Sequence, residues 1–468
     1  MKIKSAYNGL SKEVKASIWF MFCNLIQKGI SFITVPIFTR MMTSGEYGEY
    51  MVFLSWESIL SILVTLNLCY EVFNNGMVKF SKDKDGYASS MVGLTFFTTL
   101  SACGIYYVFN EPVLDIMRMS NRNITFMFLD MFFLAISGLW TVRKRYEFDY
   151  RKLTVLTLIN IVLNPTLGIL FVSSFENKVE ARILSSVISN AIFFSVTFYE
   201  LLKKSMKIIN LKYWKYALRI NLPLLPHYFS MVFLNNIDRI IINQYYGDKY
   251  TAFYSVAYNV AMIMQIIIAS INSSFNPWLY RQLENKNYTI ICKKAKVLLS
   301  IVALFSLLPS AFAPEILQIL GSSGYVEAKG IVPLLTNCVF LIFVYTLFSN
   351  VELFYEKSRY IMFGSLAASA VNFITNIIFV PQFGYFAAAY TTLISYILLA
   401  VFHYIMMMKV QKENNIKEKI FDVLYIIKIE MILLLTAVIL ELVYTYFWLR
   451  IGIVAGVIVL FLCIMKRH

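Results

Sequence analysis

The stretch Val14-Lys-Ala-Ser-Ile-Trp-Phe-Met-Phe-Cys-Asn24-Leu-Ile-Gln27-Lys28-Gly-Ile-Ser31-Phe-Ile-Thr34-Val-Pro36-Ile-Phe-Thr39-Arg-Met-Met-Thr-Ser-Gly-Glu-Tyr-Gly-Glu-Tyr50 decides the fold. Between Lys15 and Arg40 its only charge is Lys28. About 20 apolar residues, each adding 1.5 Å along a helix, cross the hydrocarbon core of a bilayer. The stretch therefore predicts a membrane-spanning helix with an ammonium near its middle. Insertion scales put the cost of such a cation at roughly 2.5 to 3.5 kcal/mol, so it has to face protein or water rather than acyl chains. Asn24, Gln27, Ser31 and Thr34 recur at intervals of three and four and place one polar face beside Lys28. Pro36 removes a backbone donor and allows a bend.

Working outward, 59% of the 468 residues are hydrophobic and 15% are charged, a balance that excludes both an ordinary soluble globule and a disordered chain. The basic start, Met1 to Lys15, precedes an apolar run too long for a signal-peptide core, so an uncleaved first span is expected. Six cysteines lie scattered, mostly within apolar segments, which argues against a metal site or a disulfide framework. The formal net charge of +15 would suggest nucleic acid in a soluble chain; here membrane topology accounts for it, and no nucleic-acid partner is expected.

Fourteen apolar spans are legible, at roughly 15 to 37, 48 to 72, 87 to 109, 123 to 142, 153 to 173, 182 to 202, 217 to 246, 250 to 277, 296 to 313, 329 to 353, 360 to 380, 384 to 408, 421 to 445 and 447 to 465. With both termini in the cytoplasm, inner segments carry 32 of the 42 Lys and Arg and outer ones carry 8, Lys28 and Arg239 lying within spans. That is the asymmetry that orients membrane proteins. No loop exceeds about twenty residues and no Gly-x-x-x-x-Gly-Lys-Ser/Thr occurs, so neither a soluble catalytic domain nor direct ATP binding is expected.

Spans seven and eight echo one and two: Thr43-Ser-Gly-Glu-Tyr-Gly-Glu-Tyr-Met-Val-Phe53 matches Tyr246-Gly-Asp-Lys-Tyr-Thr-Ala-Phe-Tyr-Ser-Val256, each after a long helix interrupted by proline. The expectation is an all-α membrane protein with two six-helix lobes related by a pseudo-twofold repeat plus two C-terminal helices. The N-lobe covers 1–202, a cytoplasmic linker 203–216, the C-lobe 217–408 and the last two spans 409–468.

Polar residues inside spans are the candidate functional groups. Span seven carries His227, Asn235, Asp238, Arg239 and Asn243. Asp238 and Arg239 are adjacent and so do not face one another on a helix. Span eight carries Tyr254, Tyr258, Gln265, Asn272 and Asn276 at helical spacing, a stripe suited to hydroxyl-rich ligands and equally to interhelical hydrogen bonding. Glu57 and Asp130 are carboxyls within spans, readable as a proton or sodium relay or as partners that neutralise Lys28 or Arg239.

Thr39-Arg-Met-Met-Thr-Ser-Gly-Glu-Tyr-Gly-Glu-Tyr50, Phe275-Asn-Pro-Trp278, Ala313-Pro-Glu-Ile-Leu-Gln-Ile-Leu-Gly321 and Ala370-Val-Asn-Phe-Ile-Thr-Asn376 with Val380-Pro-Gln-Phe-Gly-Tyr-Phe-Ala-Ala-Ala389 together resemble the Wzx-type O-antigen and polysaccharide-unit flippases of the multidrug/oligosaccharidyl-lipid/polysaccharide exporter (MOP) superfamily. The order and spacing match over nearly the whole chain. The resemblance implies a V-shaped pair of lobes around a cationic cavity, with Lys28 at a position where related peptidoglycan-precursor flippases often place a basic residue. It implies a bacterial cytoplasmic-membrane protein that carries undecaprenyl-pyrophosphate-linked oligosaccharide outward. No cofactor is implied beyond possible H+ or Na+ coupling, for which Glu57, Asp130 and Asp238 are the candidates. Membrane lipids, a polysaccharide polymerase and a chain-length regulator are the implied partners.

On that reading Lys28 and Arg239 meet the pyrophosphate in turn, with Asn24, Ser31, Asn235 and His227 beside them and the stripe Tyr254, Tyr258, Gln265, Asn272 on the sugars. The rival readings are multidrug export on the same scaffold, and a membrane polysaccharide polymerase or ligase, which would need a large outer loop that this chain does not show.

Overall fold

The structure is a computed structural model that describes residues 11–466, with side chains to Phe461. The expected cytoplasmic termini and the side chain of Cys463 lie outside the described residues. Helices account for nearly all of the described chain, which makes two compact units, one up to Val232 and one from Phe233.

The first unit opens with α1 (Lys12–Met41), whose first turn is capped by Ser11, its hydroxyl accepting from the Val14 amide. The helix stops at the motif that the sequence singled out. Thr43 caps α2 (Ser44–Val64): its hydroxyl accepts from the Glu46 amide at 3.2 Å while the Glu46 carboxylate accepts from the Thr43 amide at 2.7 Å. This reciprocal box satisfies two donors that a helix start otherwise leaves bare. Then follow α3 (Glu71–Lys79), α4 (Lys84–Val108), α5 (Asn110–Met117), α6 (Asn121–Tyr146), α7 (Tyr150–Ser174), α8 (Lys178–Leu202) and α9 (Leu211–Asn221). The core of the unit is packed around Phe73, Met77, Tyr87, Met91 and Trp140.

Residues 203–216 lie against that core. Ser89 donates to the Ser205 carbonyl at 2.6 Å, the Trp214 indole donates to the Ser90 carbonyl at 2.9 Å, and a side chain at Gly93 would collide with the Ile208 carbonyl. Span seven is split: Leu-Pro-Leu at 222–224 forms a 3-10 turn between α9 and α10 (Leu225–Tyr246), where Pro223 and Pro226 interrupt the helical ladder.

The second unit takes in most of α10, then α11 (Asp248–Met262) and α12 (Met264–Glu284), which are separated at Ile263. Gly247 before α11 has φ +81°, a conformation open to glycine and costly for other residues. Next come α13 (Tyr288–Ala311), α14 (Ala313–Gly321) bent 61° from it, α15 (Ile331–Phe354), α16 (Ser358–Phe383), α17 (Ala387–Glu413), α18 (Val423–Val443) and α19 (Phe447–Lys466). Almost every side chain of α15 is buried, which makes it the axis of this unit.

Each of the fourteen expected spans corresponds to a helix or helix pair. Among the described residues ten helices are long and apolar enough to cross a membrane, and α13 with α14 makes an eleventh as a bent span. The remaining three spans fall on α2, α10 and α19. The first two carry charges within 21 and 22 residues, and α19 has a shorter apolar run, Phe447–Phe461.

Candidate functional site

Lys28 lies exposed on α1 and makes no hydrogen bond or ion pair with another described residue. Its polar neighbours differ in this respect. Ser31 and Thr34 turn their hydroxyls back onto the carbonyls of Gln27 and Ser31, at 2.9 and 2.8 Å. Asn24 and Gln27 border a cavity of about 240 Å3 within the first unit, shared with Ser137, Thr141 and Arg145 of α6 and Thr157 and Asn160 of α7. Arg145 packs its guanidinium 5.7 Å from the Phe20 ring centre on α1. The basic end of α6 therefore lies beside α1, a proximity that spacing along the chain does not reveal.

Deeper in the same unit a charged cluster joins α2, α6 and α8. The Glu57 and Asp130 carboxyl groups lie beside one another, and Asp130 accepts from the Asn190 amide at 2.8 Å. Two carboxyl groups buried side by side repel when both are charged, which favours a proton on one of them. Arg182, near the start of α8, is buried near this pair. It donates to Ser186 at 2.8 Å and Asn164 at 3.0 Å, with Phe38 and Tyr50 rings 4.5 and 5.2 Å away. Gly168 makes that packing possible, because a methyl there would sit 2.7 Å from Phe38. Among the described residues neither carboxyl pairs with Lys28.

In the second unit Asp238 is buried and accepts three hydrogen bonds from three helices: Tyr254 of α11 at 2.5 Å, Asn376 of α16 at 2.7 Å and Thr392 of α17 at 2.7 Å. Asn372 joins the set through Asn376 and Thr392, at 3.1 Å to each. Arg239 points elsewhere, as adjacency on a helix requires. It is buried, donates to Ser255 at 3.2 Å and to the Asn235 carbonyl at 3.0 Å, and lies 4.3 Å from the Tyr258 ring centre. The Asn235 side-chain oxygen accepts from Tyr258 and Tyr396, both at 3.0 Å.

The stripe on span eight is thereby divided. Tyr254 and Tyr258 spend their hydroxyls on Asp238 and Asn235, so in this structure they meet protein rather than ligand. Gln265 and Asn272, on the far side of the break at Ile263, are partly exposed, and the Asn272 side-chain oxygen has no donor. His227 is partly exposed, belongs to the first unit and has its ring 5.9 Å from that of Tyr228. Asn372 and Asn376 stand in the motif Ala370 to Asn376 and are not among the candidate residues named from the sequence. Two asparagines one turn apart in an apolar span were the signal that they share a polar partner.

A model of the family described as polysaccharide biosynthesis protein matches residues 14–282, more than half of the chain. The chain belongs to this family. A second model, MatE, matches residues 223–378. The Lsg locus putative protein 1 of Haemophilus influenzae is 23% identical over 292 residues, which is 60% of this chain and 69% of that protein. Among solved structures, the lipid II flippase MurJ in an inward closed conformation superposes with a TM-score of 0.72 at 14% identity, covering 97% of this chain and 99% of its own. An inward-facing MATE-family multidrug transporter of the MOP superfamily gives a TM-score of 0.60 at 13% identity over 85% of this chain and 96% of its own. At such identities the likeness is one of fold, and this family member has the helical fold of MOP-superfamily membrane transporters.

Proposed function

We propose that this protein moves an undecaprenyl-pyrophosphate-linked oligosaccharide, an O-antigen or capsular repeat unit, from the inner to the outer leaflet of the bacterial cytoplasmic membrane by alternating access. Unaided, the headgroup cannot cross: desolvating a bare anion costs on the order of tens of kcal/mol, and each unpaired hydroxyl adds about 2 to 7 kcal/mol. Membership of a polysaccharide biosynthesis family supports the substrate class. The observation that carries the reading is Lys28, a cation within a span that has no hydrogen-bond or ion-pair partner among the described residues and is therefore free for an anionic ligand.

On this reading Arg145 and Lys28 hold the pyrophosphate in succession along α1, with Asn24 and Gln27 offering amides to the first sugar. Arg239 belongs to the network that holds the second unit together, and Lys28 rather than Arg239 takes the headgroup. Gln265 and Asn272 meet sugars. Outward anion movement gains about 2.3 kcal/mol per charge per 100 mV of membrane potential, less whatever its cationic partners carry back. An ion gradient supplies the rest through Glu57 and Asp130 or through Asp238. The product feeds a polysaccharide polymerase and its chain-length regulator.

The test is complementation of a null strain. Lys28→Ala, at wild-type protein level, should leave lipid-linked repeat units at the inner face and abolish export, while Lys28→Arg should restore export. Wild-type export by Lys28→Ala would refute the role. The MatE match over 223–378 favours a second reading, export of organic cations. Drug hypersensitivity of the null strain with intact surface polysaccharide would select it.

A further inference from the structure

Helices α13, α15 and α18 enclose a second polar space, away from the helices that supply Asp238 and its three donors. It is a cavity of about 10 Å3 bordered by Ser306, Ser310, Thr336, Asn337 and Thr436 among leucines and alanine. The hydroxyl hydrogens there are already used. Ser306 donates to the Val302 carbonyl at 2.9 Å and Thr436 to the Ile432 carbonyl at 2.7 Å. Ser310 and Thr336 lie 2.7 Å apart and share their two hydrogens between each other and the carbonyls of Ser306 and Pro333. Asn337 gives an amide hydrogen to the Pro333 carbonyl at 2.9 Å, which fixes the orientation of its amide, and its own oxygen is buried without a donor. What the five side chains turn inward is predominantly lone pairs.

One further orphaned group lies one turn from the cavity lining on α18. Glu430 precedes Leu433 and Ala437 on the same buried face of α18, is 9% exposed, and neither of its carboxyl oxygens has a donor. Orphaned carboxyl and amide oxygens cost several kcal/mol in hydrocarbon unless something positive satisfies them. A cavity of this size holds one water or one bare ion. Water brings two hydrogens to five oxygens and finds one spare donor, the second amide hydrogen of Asn337. A hard cation is bound by oxygen lone pairs of this kind, hydroxyl and amide alike.

We infer that this cavity binds a single monovalent hard cation of the sodium class, held by the oxygens of Ser306, Ser310, Thr336, Asn337 and Thr436 and balanced in charge by Glu430. Binding ties α18 to α13 and α15.

Thermal unfolding of the purified protein in detergent, in NaCl, KCl or choline chloride at one ionic strength, tests this. A ligand that binds only the folded state raises the midpoint with its concentration. The expected result is a saturable rise with Na+ and none with choline. Thr436→Val, which removes one oxygen and keeps the shape, and Glu430→Gln should each weaken the apparent Na+ affinity by at least about tenfold. Equal midpoints in the three salts would mean that the cavity holds water and would overturn the inference. So would a Na+ response in which both variants overlay the wild type, since the ion would then sit elsewhere. Thr436→Val reports its own folding through the cooperativity of its melt.

Discussion

Glu57 of α2 and Asp130 of α6 lie carboxyl beside carboxyl inside the first unit, with Asn190 donating to Asp130 at 2.8 Å. Two acids so placed titrate as a pair, since charge on one disfavours charge on the other. Asp130→Asn keeps the shape of the side chain and removes one of the two titrating groups. The expected outcome is a folded protein whose transport no longer depends on pH, read in inverted vesicles under an imposed pH gradient. Undiminished pH-dependent transport would remove the pair from coupling.

Among the described residues the Lys28 side chain has no hydrogen-bond or ion-pair partner, so it contributes little to the fold. Surface substitutions without such contacts usually change stability by no more than about 0.5 kcal/mol. Lys28→Ala should therefore melt with the wild type while losing export. A lowered melting temperature matching the loss of export would make Lys28 structural.

The spans were legible because apolar runs of membrane length separated by charge can hardly form anything else, and the prolines at 223 and 226 announced the split in span seven. The break at Ile263 was not, since Ala261-Met-Ile-Met-Gln265 contains neither glycine nor proline. The partners of the intramembrane charges were also out of reach. Arg182 and Asp130 are 52 positions apart, and Asp238 and Thr392 are 154. Spacing along a helix says which residues share a face, and nothing about which distant helix will cover it.

That distinction separates two kinds of residue within span eight. The Tyr254 hydroxyl is a buried donor to Asp238, and a hydrogen bond to a charged group contributes about 1.5 to 3 kcal/mol. Tyr254→Phe should lower the unfolding free energy by that amount, seen as a reduced denaturation midpoint. Gln265→Ala and Asn272→Ala should leave the midpoint within about 0.5 kcal/mol of wild type and lower transport instead. The reverse pattern would return the ligand-facing role to the tyrosine.

Glu352 and His403 form a pair that the sequence did not single out. They lie on α15 and α17, 0% and 1% exposed as side chains, with His403 Nδ1 at 3.0 and 3.1 Å from the two carboxyl oxygens and the Tyr345 ring stacked 5.7 Å from the imidazole. Gly364 leaves room for the ring, since a methyl there would come within 3.0 Å of Nε2. Removing one member strands the other in the buried interior, at a cost of roughly 3 to 5 kcal/mol, whereas replacing both by apolar residues of similar volume is often close to neutral. His403→Ala should accordingly lower the unfolding free energy by several kcal/mol, and Glu352→Met with His403→Phe should recover most of it. The difference between the double substitution and the summed singles, read from denaturant midpoints, measures the coupling. If the double variant is as unstable as the sum of its parts, the two side chains act separately, and the close approach of α15 to α17 owes its stability to the surrounding apolar packing.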